Sequence, residues 1–159
     1  MMTTLKITLL CLQDVRSLIE GRMAHSQLNC ADYLLPAVVL QAALDAHARG
    51  ADWFWCAPRL FVDGTTGQTM GTALFIATDD ADVVEIGYGT AQEFQGMGVA
   101  SRGIAHMLAD AQAYDHARRY TAKTARSNIA SQRVLEKNGF IPCGELIDSE
   151  DGELVLWSK

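Results

Sequence analysis

The sequence predicts an α/β fold: a mixed, mostly antiparallel sheet of six to seven strands flanked by helices. Three observations lead there. Short apolar segments are joined by polar turns, at Asp63-Gly64-Thr65-Thr66-Gly67 and at Asp79, Asp80 and Asp82, the usual link between antiparallel neighbours. A strand at Val83–Thr90 is followed by a glycine turn, an amphipathic helix and a strand at Arg119–Ala125, a unit that returns its second strand parallel to the first. Apolar residues also recur at helical spacing in the segments between other strands.

In chain order, weak alternation over residues 5–10 predicts a first strand. Residues 13–23 predict a helix with Val15, Leu18, Ile19 and Met23 on one face. Pro36 suits a first helical turn, Ala37, Leu40, Ala43 and Leu44 continue it, and Gly50 stands where a C-terminal cap would. Residues 53–63 are aromatic and β-branched and predict a strand, which the Asp63-to-Gly67 turn folds onto a second at 68–77. In the helix after the glycine turn, Ala100, Ile104, Met107, Leu108 and Ala111 share the side that would lie on the sheet. Residues 129–138 predict the last helix, capped by Gly139. A closing hairpin pairs 140–146 with 154–158 over Asp151-Gly152, and Pro142 argues against a central place for its first strand.

At 159 residues the chain reads as a single domain, residues 1–159, long enough to bury a sizeable core. Apolar residues make up 49% and no run is long enough to span a membrane, so no membrane partner is expected. The opening MMTTLKITLLCLQD lacks the character of a secretory leader, and the expected compartment is cytoplasmic. A net charge of −6 argues against nucleic acid as a partner. Cys11, Cys30, Cys56 and Cys143 stand singly among apolar neighbours, with no ligand spacing to His, so they read as small buried hydrophobes and no metal is expected.

The chemistry concentrates in residues 83–108. Gln95-Gly96-Met97-Gly98-Val99-Ala100 hands a strand over to a helix, and no side chain at Gly98 or a small one at Ala100 shields the first N–H groups of that helix. Those groups lack partners within the helix and carry the positive end of its dipole, which suits a phosphate or diphosphate. A dinucleotide-binding fingerprint is the competing reading. Ser101 opposes it, standing where that fingerprint needs glycine, and so does the unit's place after a run of antiparallel strands.

The Gln-x-x-Gly-x-Ala spelling, after a strand containing Glu85-Ile86-Gly87-Tyr88, resembles the acetyl-coenzyme A loop of the Gcn5-related N-acetyltransferase (GNAT) superfamily. A second stretch, Asn128-Ile129-Ala130-Ser131 through Asn138-Gly139-Phe140, is similar to that superfamily's next helix, especially in the branch of ribosomal-protein alanine acetyltransferases. The resemblance implies an N-acetyltransferase that moves acetyl from acetyl-coenzyme A directly to a primary amine, a peptide N-terminus or a small-molecule amine. It implies that Gln95, Gly96, Met97, Gly98, Val99, Ala100 and Ser101 hold the diphosphate. Gly89, Thr90 and Asn128 would hold the pantetheine arm, which in the family lies between the two parallel strands. Gly87 and Gly89 fit a bulged, splayed strand end, and N–H groups around Gly89 and Thr90 could hydrogen-bond the thioester oxygen.

Two catalytic residues are expected. Glu85 is a carboxylate in an otherwise apolar strand, on the same face as Gly87, and is the candidate base; a strand-end carboxylate paired with a lysine is the alternative. Many family members carry a tyrosine on the last helix to serve the leaving thiolate, but this chain has Leu135 there. Ser131, one helical turn earlier, matches the serine of the ribosomal-protein branch and is the candidate donor to sulfur. Asn128 also reads as the cap of that helix. Arg133 and Lys137 could reach phosphates or simply be solvated. The acids Asp148, Glu150, Asp151 and Glu153 could steer a cationic amine or form only a solvated turn. A non-catalytic acyl-coenzyme A-binding module of the same fold is the rival functional reading. A homodimer stays open, since one of Trp53, Phe54, Trp55 and Trp157, all core candidates, could face a partner subunit.

Overall fold

The structure, a computed structural model, describes residues 4–159; Met1, Met2 and Thr3 of the opening segment lie outside it. Seven strands form one sheet: β1 (Leu5–Leu9), β2 (Arg59–Asp63), β3 (Thr69–Ala77), β4 (Val83–Thr90), β5 (Arg119–Ala125), β6 (Ile141–Asp148) and β7 (Gly152–Ser158). Their spatial order is β1-β2-β3-β4-β5-β7-β6. Every pairing is antiparallel except β4 with β5, which is parallel, as the strand-helix-strand unit predicts. β6, with Pro142, takes the edge, and β7 lies between β5 and β6. A proline costs no ladder bond on an edge strand, so the residue and its position agree.

Alternation along the strands sorts side chains to two faces. On one face Phe61, Phe75, Val84, Ile86, Tyr120, Ala122 and Trp157 pack under α4 (Val99–Tyr114) and α5 (Ile129–Lys137). On the other face Leu60 and Val62 pack with α1 (Leu12–Ile19), α2 (Ala37–Ala48) and the helical turn at Asp32–Leu34. The inner stripe of α4 is Val99, Gly103, Ile104, Met107, Leu108 and Ala111; Ala100, expected in that stripe, is only half-buried. Gly103 sets how closely α4 approaches, because a Cβ there would lie 2.5 Å from the Phe61 ring.

Three expectations need correction. Residues 53–56 are a helical turn, α3 (Trp53–Cys56), and the strand starts only at Arg59. The Asp52 carboxylate accepts from Phe54 N–H at 3.0 Å and starts the turn. Buried Arg59 ends it: the guanidinium donates to the Phe54 and Ala57 carbonyls and stacks on the Phe54 and Phe75 rings, and burial pushes its pKa down to about 10. The first helix stops at Ile19 rather than Met23. The N–H groups of Arg22 and Met23 both return to the Ser17 carbonyl, which keeps Met23 against the same apolar cluster without helical backbone. Finally, only Cys30 and Cys56 are buried. Cys11 is exposed where it caps α1 through its sulfur, and Cys143 is exposed on β6.

Candidate active site

The parallel pair separates. β4 and β5 are in register from Val83 opposite Arg119 to Ile86 opposite Ala122, and no further. Beyond that point β4 stays paired to β3 as far as Thr90 opposite Gly71, and β5 stays paired to β7 as far as Ala125 opposite Leu154. Both strands therefore keep their outer partners while the space between them opens. The splay comes without a bulge in β4, since its register with β3 is uninterrupted; the register shifts lie elsewhere, at Phe61/Val62 in β2 and Pro142/Gly144 in β6.

Which main-chain groups face the opening follows from alternation. The Asp82 carbonyl accepts from Arg119 N–H on the β5 side, and Ala91 N–H donates to the Met70 carbonyl on the β3 side, both at 2.8 Å. Even-numbered residues of β4 therefore present their N–H and C=O toward β5, and odd-numbered ones toward β3. Past Ile86, the groups turned to the gap belong to Tyr88 and Thr90. Gly89, expected with Thr90 to face a thioester oxygen, turns its N–H to β3, so the N–H groups that border the opening are those of Tyr88 and Thr90.

After β4 the chain makes a tight turn at Gln92–Phe94, held by the Tyr33 hydroxyl, which accepts from Gln92 N–H at 3.0 Å. Gln95, Gly96, Met97 and Gly98 follow as an exposed loop. Gly96 and Gly98 have φ of 76° and 72°, and a Cβ at either would meet nothing within 4 Å. Gly98 is the N-cap of α4, with no side chain capping the helix. The first N–H groups of α4, those of Val99, Ala100 and Ser101, thus stand at the positive end of a sixteen-residue helix, behind a turn that carries no shielding side chain at Gly96 or Gly98. Asn138 fixes this end from behind: its buried amide donates to the Ser101 carbonyl at 3.1 Å and to Val134 at 2.9 Å. Its sequence position suggests only a helix end, and nothing in the local pattern marks it as a tie between two helices.

α5 begins beside the gap. The Asn128 carboxamide oxygen accepts from Ser131 N–H at 3.1 Å, the capping role read from the sequence. Ser131 Oγ lies 2.8 Å from the Tyr88 hydroxyl, which also donates to the Ser131 carbonyl at 3.1 Å. Burial pushes the Tyr88 phenol above the ordinary tyrosine range, and its hydrogen bond with Ser131 offsets part of that. Leu135 is 0% exposed and belongs to the core.

On the opposite face of the sheet, Glu85 is 19% exposed and its carboxylate pairs with Lys123 Nζ at 3.0 Å. The pair lines a recess of about 400 Å³ with Ala125, Leu146, Asp148, Asp151 and Leu154. Of the expected steering acids, Asp148 is taken up by its own turn, where the Asp151 N–H and then the Glu150 N–H hold its carboxyl below the usual range, and Glu153 pairs with Arg126. Arg133 and Lys137 are exposed on α5. A larger recess, about 900 Å³, lies near the start of β4 between α2, α3 and the end of α4, and none of residues 85–101 lines it.

A family profile described as an acetyltransferase (GNAT) domain matches residues 10–141, most of the chain. The protein belongs to the GNAT acetyltransferase family. Solved structures share its fold over nearly the whole length. A ribosomal-protein-S5-alanine acetyltransferase from Vibrio fischeri is 18% identical with a TM-score of 0.69, over 98% of this chain and 92% of that one. A ribosomal L7/L12 α-N-protein acetyltransferase in complex with coenzyme A is 20% identical with a TM-score of 0.67, over 99% and 94%. An aminoglycoside acetyltransferase, also in complex with coenzyme A, is 18% identical with a TM-score of 0.64, over 98% and 94%. No curated protein matches in sequence. Among the described residues, no helix of this GNAT chain is long and apolar enough to cross a membrane.

Proposed function

We propose that the protein transfers an acetyl group from acetyl-coenzyme A to a primary amine. The observation that carries this reading is the joint placement of the opened β4–β5 edge and the uncapped N-terminus of α4. Residues 95–101 offer main-chain N–H groups to a diphosphate, and Tyr88, Thr90 and Asn128 offer amide partners to a pantetheine arm lying in the gap. Acetyl-coenzyme A would supply a thioester carbonyl carbon as the electrophile. That two structural neighbours are described as complexes with coenzyme A agrees with this use of the cradle.

Each remaining role falls to a residue of this chain. N–H groups of Tyr88 and Thr90 stabilise negative charge on the carbonyl oxygen as the amine adds. Glu85, on the face opposite α4 and α5, takes the amine proton directly or through water, while Lys123, paired with it at 3.0 Å, holds the carboxylate in place. Ser131, on the other face, donates a hydrogen bond to the departing sulfur. Attack from one face and departure toward the other requires no covalent enzyme intermediate. The ribosomal-protein enzymes among the neighbours tilt the acceptor toward a peptide N-terminal amine, although an aminoglycoside acetyltransferase has the same fold.

The second reading is a module that binds acyl-coenzyme A without turnover. It is favoured by two facts: Leu135 occupies the site of the family's helix tyrosine, and Glu85 is already engaged by Lys123. Calorimetry with coenzyme A, followed by thiol release from acetyl-coenzyme A over a panel of peptides and amines, separates the two. Transfer is expected, with Glu85→Gln lowering turnover about 10²-fold or more and leaving coenzyme A affinity unchanged. Binding without thiol release on any amine would select the module, and absence of binding would remove both readings.

A further inference from the structure

The loss of a tyrosine from the last helix leaves the leaving sulfur to Ser131, and a serine hydroxyl is a weak donor whose hydrogen can turn elsewhere. Tyr88 bears on this. It sits on β4 at the level where the sheet has opened, with its main chain on the gap and its side chain on the α5 face. Its ring crosses from β4 to the helix that follows β5, and its hydroxyl meets both oxygens of Ser131, Oγ at 2.8 Å and the carbonyl at 3.1 Å. Asn128 holds the N–H of the same serine. The residue is thus fixed on its backbone from two directions, and the orientation of its hydroxyl remains to be set. Leu135, one turn further on, has nothing to donate.

We propose that Tyr88 is a positioning residue for the leaving group: its single phenol hydrogen is shared between Ser131 Oγ and the Ser131 carbonyl in a three-centre bond, which leaves the serine hydrogen directed at the sulfur in the gap. A phenol is the stronger acid of the two and is the natural donor of the pair. The opposite arrangement, with Ser131 donating to Tyr88 and Tyr88 to the Ser131 carbonyl, would spend the serine hydrogen on the phenol. The role is one of hydrogen bonding, with no proton transferred by either residue. When the C–S bond breaks its electron pair stays on sulfur, Ser131 stabilises that thiolate, and the proton it finally carries balances the one given up by the amine through Glu85 and solvent.

This inference rests on the proposed use of coenzyme A, and its test reads the sulfur without needing the acceptor. Bound coenzyme A is titrated by the ultraviolet absorbance of its thiolate, with desulfo-coenzyme A as the blank, in the wild type, Tyr88→Phe, Ser131→Ala and the double variant. A hydrogen bond to a charged sulfur should lower the bound thiol's pKa by about one unit relative to free coenzyme A. Tyr88→Phe and Ser131→Ala should each abolish that shift, and the double variant should add nothing. Calorimetric affinity for coenzyme A at neutral pH, where the thiol is protonated, should change little in any of them. A packing role for Tyr88 would alter melting temperature and leave the thiol where the wild type has it. A wild-type thiol pKa in Tyr88→Phe, or a lower one, overturns the proposal while leaving coenzyme A binding intact; failure of the wild type to bind coenzyme A overturns the cofactor reading beneath it.

Discussion

Gly98 and Gly21 form a matched pair that separates backbone strain from ligand space. Their φ values are 72° and 69°, and a Cβ at either would meet nothing within 4 Å. Gly21 follows α1, whereas Gly98 opens α4 at the proposed diphosphate cradle. Alanine in the left-handed region costs about 1 kcal/mol at either position, which for a chain of this size lowers the melting temperature by about 3 °C. Both alanine variants should therefore lose stability equally. They should part in calorimetry with coenzyme A: Gly21→Ala keeps wild-type affinity and Gly98→Ala weakens it. Gly98→Glu goes further, because it brings a carboxylate up to the diphosphate. A like-charge contact at about 4 Å in a partly solvated site opposes binding by a few kcal/mol, so a loss of about 100-fold is expected. Wild-type affinity in Gly98→Glu, or an equal loss in Gly21→Ala, would refute the assignment of the cradle to this turn.

Other consequences follow from packing and from charge. Gly103→Ala drives a Cβ into the fully buried Phe61 ring and should cost about 1–3 kcal/mol, seen as a lower urea midpoint at unchanged slope. Adding Phe61→Leu should recover part of it. The Asp52 carboxyl, which starts α3, is held below its ordinary value of 3.8 by the Tyr114 hydroxyl and then by Phe54 N–H. A depressed carboxyl stabilises the fold above its ordinary value, and that stabilisation is lost as pH falls through the folded value. Tyr114→Phe keeps the ring stacked on Phe54 and should lower the melting temperature slightly at neutral pH, with the difference vanishing in acid; a difference independent of pH would contradict this. Because the Glu85–Lys123 pair is partly solvated, Glu85→Gln should change stability by less than about 1 kcal/mol, so that any large fall in turnover reports chemistry rather than unfolding.

Most elements were legible because local signals agreed with tertiary demands. The polar turns at 63–67 and 79–82 have antiparallel partners on either side, and the Asn128 cap and Gly139 bracket α5 where the pattern placed it. The miss at α3 has a physical cause: Trp53, Phe54 and Trp55 favour strands, but the Asp52 cap and the Arg59 guanidinium hold them in a helical turn. Asp52 before Trp53 was a readable signal; the guanidinium was not, because its partners are defined only by the folded chain. The same limit applies at the site. The candidate motifs occupy contiguous stretches, whereas Tyr88 meets Ser131, Glu85 meets Lys123 and Asn138 meets Ser101 across long separations that no local pattern encodes.

The place of β7 bears on how the molecule is assembled. It is the last strand of the described sheet to leave the ribosome, yet it is flanked on both sides, by β5 and β6. Until it inserts, β5 has a bare edge toward β6 and, past Ala122, another toward the gap, an arrangement open to pairing with foreign strands. Trp157 Nε1, bonded to buried Thr124 at 2.9 Å, closes the core only at that stage. Residues 152–158 must therefore be synthesised before the walls of the opening can acquire their final spacing, and nascent chains arrested before residue 152 should be sticky rather than partly active.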